Sequence, residues 1–182
     1  GHTRMRQWKW VGIAHWAVFF GFFALVGTLV TAFGQLRDPS WALPIIGHWG
    51  VYDVFNELIA TATTVGIIAL IIIRQRNKPD KLGRDSRFFG STMWQAYRIE
   101  AIIAVIGVCV LLLRGLEGAY VGVYGWSLNH MFTYPIAALA MNLPLMWIEW
   151  LIAAFAAIKI AVSLYWFNLV SEWPTMGVAW HR

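Results

Sequence analysis

Apolar residues run along this chain in four long stretches, and polar residues gather between them. The stretches are Trp10 to Leu36, Val51 to Ile73, Tyr97 to Leu113 and Leu145 to Val170. The third is the shortest and has room to begin as early as Thr92. Crossing the hydrocarbon of a bilayer as a helix takes about 20 apolar residues. Each stretch therefore predicts a transmembrane helix, and together they predict an all-α polytopic bundle of four spans forming one membrane domain over 1–182. The connection over 115–144 is long, aromatic and amphipathic. It is expected to lie on the outer surface or to dip partly into it.

Within the first stretch, Ala14, Ala17, Gly21, Ala24, Thr28, Thr31 and Gln35 recur with heptad spacing. Small residues at that spacing let two helices approach closely in lipid, where packing drives association. At 100° per residue His15 falls nearly opposite this seam, with Phe19, Phe22, Val26 and Phe33. A histidine on an aromatic face has three readings: a hydrogen-bonded interior group, a proton-handling group, or an axial ligand to a porphyrin wide enough to fill the gap between helices.

Composition supports the membrane class. Hydrophobic residues make up 59% of the 182 and charged residues 13%, with mean hydropathy +0.60. The first stretch is too long for a signal peptide and no small-residue cleavage site follows it.

Charge then sets orientation. Arg4, Arg6 and Lys9 precede the first span. Arg74, Arg76, Lys78, Lys81, Arg84 and Arg87 follow the second, whereas the other two connections carry one arginine each, Arg37 and Arg114. By the positive-inside rule both termini and the 74–96 loop are expected in the cytoplasm, the cell membrane being the location. The net charge of +5 reports this topology and not nucleic-acid binding. Twelve tryptophans add an aromatic belt, with Trp8, Trp10, Trp94, Trp173 and Trp180 near one set of ends and Trp41, Trp49, Trp126 and Trp147 near the other.

The single cysteine, Cys109, excludes an internal disulfide, an iron–sulfur cluster or a zinc site within this chain. No phosphate loop, HExxH motif or Ser/His/Asp spacing is present. The remaining candidates are polar groups at membrane depth. Lys159 lies near the middle of the fourth span, where insertion of a lysine costs about 2.5–3.5 kcal/mol. It is expected to point into the bundle, toward a carboxylate, backbone carbonyls or an acidic group of a cofactor. Glu57, Glu149, Asp53, His48 and His130 are candidates for an outer polar cluster, although His48 and His130 also suit loop or interfacial positions. At the other edge, "STMWQAYRIE" brings Trp94, Gln95, Tyr97, Arg98 and Glu100 together behind a candidate N-cap, Ser91. That rim suits a quinone headgroup, and equally an ordinary helix start.

Three segments carry a family resemblance: "TRMRQWKWVGIAHW" (3–16), "RFFGSTMWQAY" (87–97) and "PTMGVAWHR" (174–182). With the four-span layout they resemble the N-terminal membrane domain of actinobacterial iron–sulfur reductases, the electron-transfer-flavoprotein dehydrogenases with a heterodisulfide-reductase-like soluble part. That membrane part is in turn similar to the gamma subunit of respiratory nitrate reductase, a haem b and quinone module. The resemblance implies a membrane anchor and electron-transfer module passing electrons from a reduced flavoprotein, through iron–sulfur clusters, to menaquinone. His15 and His181 become candidate axial ligands of at most one haem b, and Trp94, Tyr97, Glu100 and Lys159 candidate quinone contacts.

Two departures qualify it. The cluster-binding cysteines of the family are absent, which places the iron–sulfur part in a partner or beyond Arg182. The fourth span also lacks the two histidines of the nitrate-reductase pattern, having Glu149 and Phe167 toward its ends. A non-redox scaffold or assembly subunit of a respiratory complex is the main alternative. A transporter ranks third, since no internal repeat and no proline- or glycine-broken pair of spans is evident.

Overall fold

The structure is a computed structural model that describes residues 9–86, 88–90, 93–123 and 125–172. It is all-helical over those residues, with α1 (Lys9–Ala24), α2 (Val26–Gln35), α3 (Gly50–Arg76), the single turn α4 (Pro79–Leu82), α5 (Met93–Val121), α6 (Tyr134–Ala140) and α7 (Leu145–Glu172). Helices beginning at Gly50, Met93 and Leu145 are each long and apolar enough to cross a membrane. The α1–α2 pair makes a fourth crossing if it is one span.

That pair corrects the expectation of one continuous first helix. The chain bends by 46° at Leu25, between two helices. No proline causes the bend. The Leu25 carbonyl is taken by the Thr28 amide at 3.0 Å and by the Thr28 hydroxyl at 2.6 Å. A threonine that bonds back onto its own helix draws a carbonyl off the regular ladder and bends it.

Successive long helices run antiparallel. Arg74 near the end of α3 meets Glu100 near the start of α5, and Phe22 of α1 packs on Trp166 late in α7. One end of the bundle thus collects the start of α1, the 77–90 connection and the end of α7; it is called the basic end here. The opposite end carries the 36–49 and 122–133 connections.

The heptad seam is the packing face it was expected to be. Ala14, Gly21, Thr28 and Gln35 are all buried, and Ala17, Ala24 and Thr31 half-buried. Close approach to α3 depends on missing side chains. A Cβ on Gly21 would sit 1.7 Å from the Thr63 hydroxyl, and one on Gly66 3.0 Å from the Ala14 carbonyl. The outward surface is apolar instead, with Phe20, Phe23, Val65, Ile68, Val108 and Leu164 exposed in mid-helix. An apolar surface of this kind suits lipid.

The 115–144 segment is only in part the connection expected there. α5 continues through Val121, so 115–121 is helix, and α6 packs into the bundle with Ala137 and Ala140 buried. Gly115 admits Ile136 so closely that a Cβ there would stand 2.5 Å from the Ile136 Cβ. The exposed tryptophans Trp10, Trp49, Trp94, Trp126 and Trp147 fit the belt, but Trp41 lies half-buried against Gly34.

Candidate functional site

Two buried cations organise the interior. Arg114 was expected in a connection; it is a buried residue of α5, held from several directions. Its Nη1 donates to Asp53 at 2.8 Å, its Nε to Glu57 at 3.2 Å and its Nη2 to the Asn129 carbonyl at 2.5 Å. Glu117, one turn further along α5, adds a carboxylate oxygen at 4.0 Å. Glu57 is fully buried and ties the network to the start of α6. It accepts from the Phe132 amide at 2.8 Å and from the Thr133 amide at 2.7 Å, with the Thr133 hydroxyl at 3.1 Å. A carboxylate at a helix N-terminus meets amides left without helical partners. Asp53 and Glu57 thus serve to fasten the 129–134 segment onto α3 and α5.

Lys159 is the second cation, 2% exposed in the middle of α7. It points inward, and its Nζ donates to the Thr28 carbonyl and the Thr28 hydroxyl, both at 2.7 Å. The bend at Leu25 and the lysine therefore meet on one residue. No salt bridge holds Lys159 among the described residues.

Two cavities reach Lys159 from different sides. The larger, about 390 Å³, is a vestibule between the 37–49 connection, α3, α5 and the 123–130 segment. Trp41, Tyr52, Asp53, Glu117 and His130 stand in its wall, Gln35 bonds to Glu117 across it, and Lys159 lies at its floor. The smaller, about 30 Å³, is an apolar fissure between the first helix pair and α7. Phe22 and Trp166 form one wall with ring centroids 4.4 Å apart, exposed Val26 and Phe167 frame it, and Thr63, Ser163 and Lys159 supply its polar atoms.

Placement of the other candidates is mixed. Of the outer cluster, Asp53, Glu57 and His130 come together, His48 is an exposed residue of the vestibule wall, and Glu149 is half-buried on α7 apart from both cavities. Burial, and then the Arg114 charge, pushes the His130 imidazole below its ordinary range.

The four quinone candidates do not form one pocket. Trp94 is exposed, Tyr97 is half-buried under the Lys78 ammonium, and Glu100 is buried in an ion pair with Arg74 at 2.6 Å. Arg98 covers the Tyr165 ring. Lys159 lies beyond them, level with Ile106 and Gly107 of α5, roughly 10 Å further along that helix axis than Glu100. His15 is half-buried on α1 and lines neither cavity, while His181 and Ser91 lie outside the described residues. No group of three or more His, Cys, Asp or Glu residues suited to a metal ion occurs among the described residues.

Sequence reasoning passed over Arg114, Glu117 and Gln35 as network members. Arg114 and Glu117 stand one turn apart, flanked by Gly115 and Gly118. Charges set among close-packing glycines were the signal of a helix continuing into protein contact.

Comparison with known proteins brings no family model, no curated protein and no solved structure that matches this chain.

Proposed function

We propose that the chain is the membrane module of an oxidoreductase that passes electrons from a cytoplasmic iron–sulfur partner to menaquinone, the partner itself being reduced by an electron-transfer flavoprotein. The observation that carries this reading is Lys159 at the closed end of an aromatic-walled fissure. A quinone is a flat apolar ring with a carbonyl oxygen at each side. Phe22 and Trp166 offer the ring a wall, and Lys159, with the hydroxyls of Thr63 and Ser163, offers donors to a carbonyl. At about 30 Å³ the fissure admits a headgroup only when a framing side chain, exposed Val26 or Phe167, turns outward.

Reduction of the quinone to the quinol takes up two electrons and two protons. The iron–sulfur partner supplies the electrons. The Lys159 ammonium passes on both protons in turn and is reprotonated after each, and its charge favours the electron-rich oxygen as reduction proceeds.

Partner docking belongs to the basic end, which the charge bias orients to the cytoplasm. Arg76, Lys81 and Arg84 are exposed there and suit an acidic surface, in a contact weakened by salt. Haem enters no step. His15 is the one candidate ligand among the described residues, and a b-type spectrum that is lost in His15→Ala is the separate measurement that would bring haem in.

The test is quinone reduction by the intact complex. Lys159→Met is expected to lower it at least 100-fold, while reduction of a soluble dye by the iron–sulfur partner is unchanged. Trp166→Ala is expected to raise KM for quinone with a smaller change in kcat. Normal quinone reduction in both variants would sink the proposal and leave the scaffold role.

A further inference from the structure

The vestibule has no part in holding a quinone, yet it ends on the same lysine. The geometry points to a water-filled half-channel that leads protons to Lys159 from the end opposite the basic loop, with Glu117 as the last carboxylate on the way. From Val121 at its rim to Val110 in its depth the cavity follows α5 for 11 residues, about 16 Å. A volume of about 390 Å³ has room for roughly ten waters at ~30 Å³ each.

Among apolar residues such as Leu43, Val110 and Leu113, the wall carries a series of polar side chains: Asp53 and Asn129 toward the rim, Glu117 and Gln35, then Thr28 and Lys159. Two of its buried polar atoms, the Tyr52 hydroxyl and the Asn56 Oδ1, have no protein hydrogen-bond partner. Buried polar atoms in a roomy polar cavity are the ones that ordered water satisfies.

Charge is distributed to suit proton movement. Arg114 is drawn aside by Asp53, Glu57 and the Asn129 carbonyl, so its guanidinium is fixed in the wall. Glu117 keeps Gln35 as its hydrogen-bond partner and faces the cavity shared with Lys159. Around the lysine stand Thr28 of α2, Thr63 of α3, Cys109 and Glu117 of α5, and Ser163 of α7. Glu117 is the one carboxylate in that set. It acts through Lys159 and is a positioning residue, not a catalytic one. That the protons serve quinone reduction rests on the function proposed above; the aqueous route does not.

Sidedness decides the matter. With Cys109→Ser as background, Asn56→Cys places a thiol in the vestibule and Ile103→Cys one in the fissure. In sealed membrane vesicles of both orientations, a membrane-impermeant methanethiosulfonate is expected to modify Asn56→Cys only from the end bearing the 36–49 connection, and to leave Ile103→Cys unmodified. Modification of Asn56→Cys from the basic end, or from neither end in a folded protein, overturns the half-channel whatever the quinone assay shows. The proton role has its own readout in the intact complex. Glu117→Gln is expected to lower kcat for quinone reduction about 10-fold or more with KM unchanged, and Glu117→Asp to recover much of it. Equal loss in both variants, or a rise in KM alone, overturns the role of Glu117. Labelling as expected in a complex that does not reduce quinone keeps the half-channel and removes the function.

Discussion

Arg114 and Lys159 are both cations buried in helices of one bundle, and the protein surrounds them differently. Arg114 has two carboxylates of α3 and a carbonyl of the 122–133 connection within 3.2 Å, two segments distant from its own in sequence. Lys159 has two oxygens of one threonine. A buried ion pair of the first kind fixes parts of the chain relative to one another, because removing either partner strands a charge. A buried ammonium of the second kind satisfies little of its own charge, and it ties α7 to a single residue of α2. The contrast separates a fastening from a site: the arginine network holds the 129–134 segment in place, while the lysine is left facing two cavities.

The most severe way to break the comparison is Arg114→Ala, which leaves Glu57 fully buried without its cation. Loss of about 3–5 kcal/mol of stability is expected, read as a lower unfolding midpoint in detergent. Lys159→Met goes the other way: replacing a buried charge with an apolar side chain of similar length is neutral or stabilising, so quinone reduction falls without a lower midpoint. Equal destabilisation by both variants would remove the distinction. Gly115→Ala ranks next. Its methyl would meet the Ile136 Cβ and Cγ2 at 2.5 Å, both fixed close to the α6 backbone. A loss of about 1–3 kcal/mol is expected from such overpacking, together with faster hydrogen exchange across α6.

Much of the bundle was legible because apolar run length reports helix span directly. Val51 to Ile73 and Leu145 to Val170 fall inside α3 and α7 with only a turn or less to add at each end. The seam through Ala14, Gly21, Thr28 and Gln35 was legible for a similar reason, since small residues seven apart have few other uses in lipid. Hydropathy failed where the partner is far away in sequence. Arg114 looks like a loop charge until Glu57, 57 residues earlier, neutralises it. The bend at Leu25 involves no proline, and Gly27 lies within its turn; a threonine hydroxyl that could have faced any neighbour turns to a carbonyl three residues back. Phe22 was placed on the face away from helix contacts, yet it packs on Trp166, which reaches it from α7. For Lys159 its inward direction could be read, but not its acceptor. Every residue has a carbonyl, so composition does not single out Thr28.

A smaller effect sharpens the comparison from the arginine side. His130 belongs to the segment that the Arg114 network fastens, stands against Gly118 and lies 3.4 Å from the Thr133 hydroxyl. Burial disfavours its imidazolium, the Arg114 charge adds to that, and Glu57 and Asp53 oppose it in part. Its pKa is therefore lower in the fold than in the unfolded chain, where it is about 6.5. Between those two values the unfolded state binds more protons, so stability rises with pH there. The contribution of a neutral His130 is fully present above about pH 6.5 and is lost as acidification carries the unfolded chain into its protonated form. Hydrogen exchange at the Phe132 and Thr133 amides, which bond to Glu57, is expected to quicken from pH 7.5 to pH 5.5 after correction for intrinsic exchange. His130→Gln should flatten that dependence while leaving the amides protected at pH 7.5. A dependence that survives in the glutamine variant would show that His130 is not the source of the acid sensitivity.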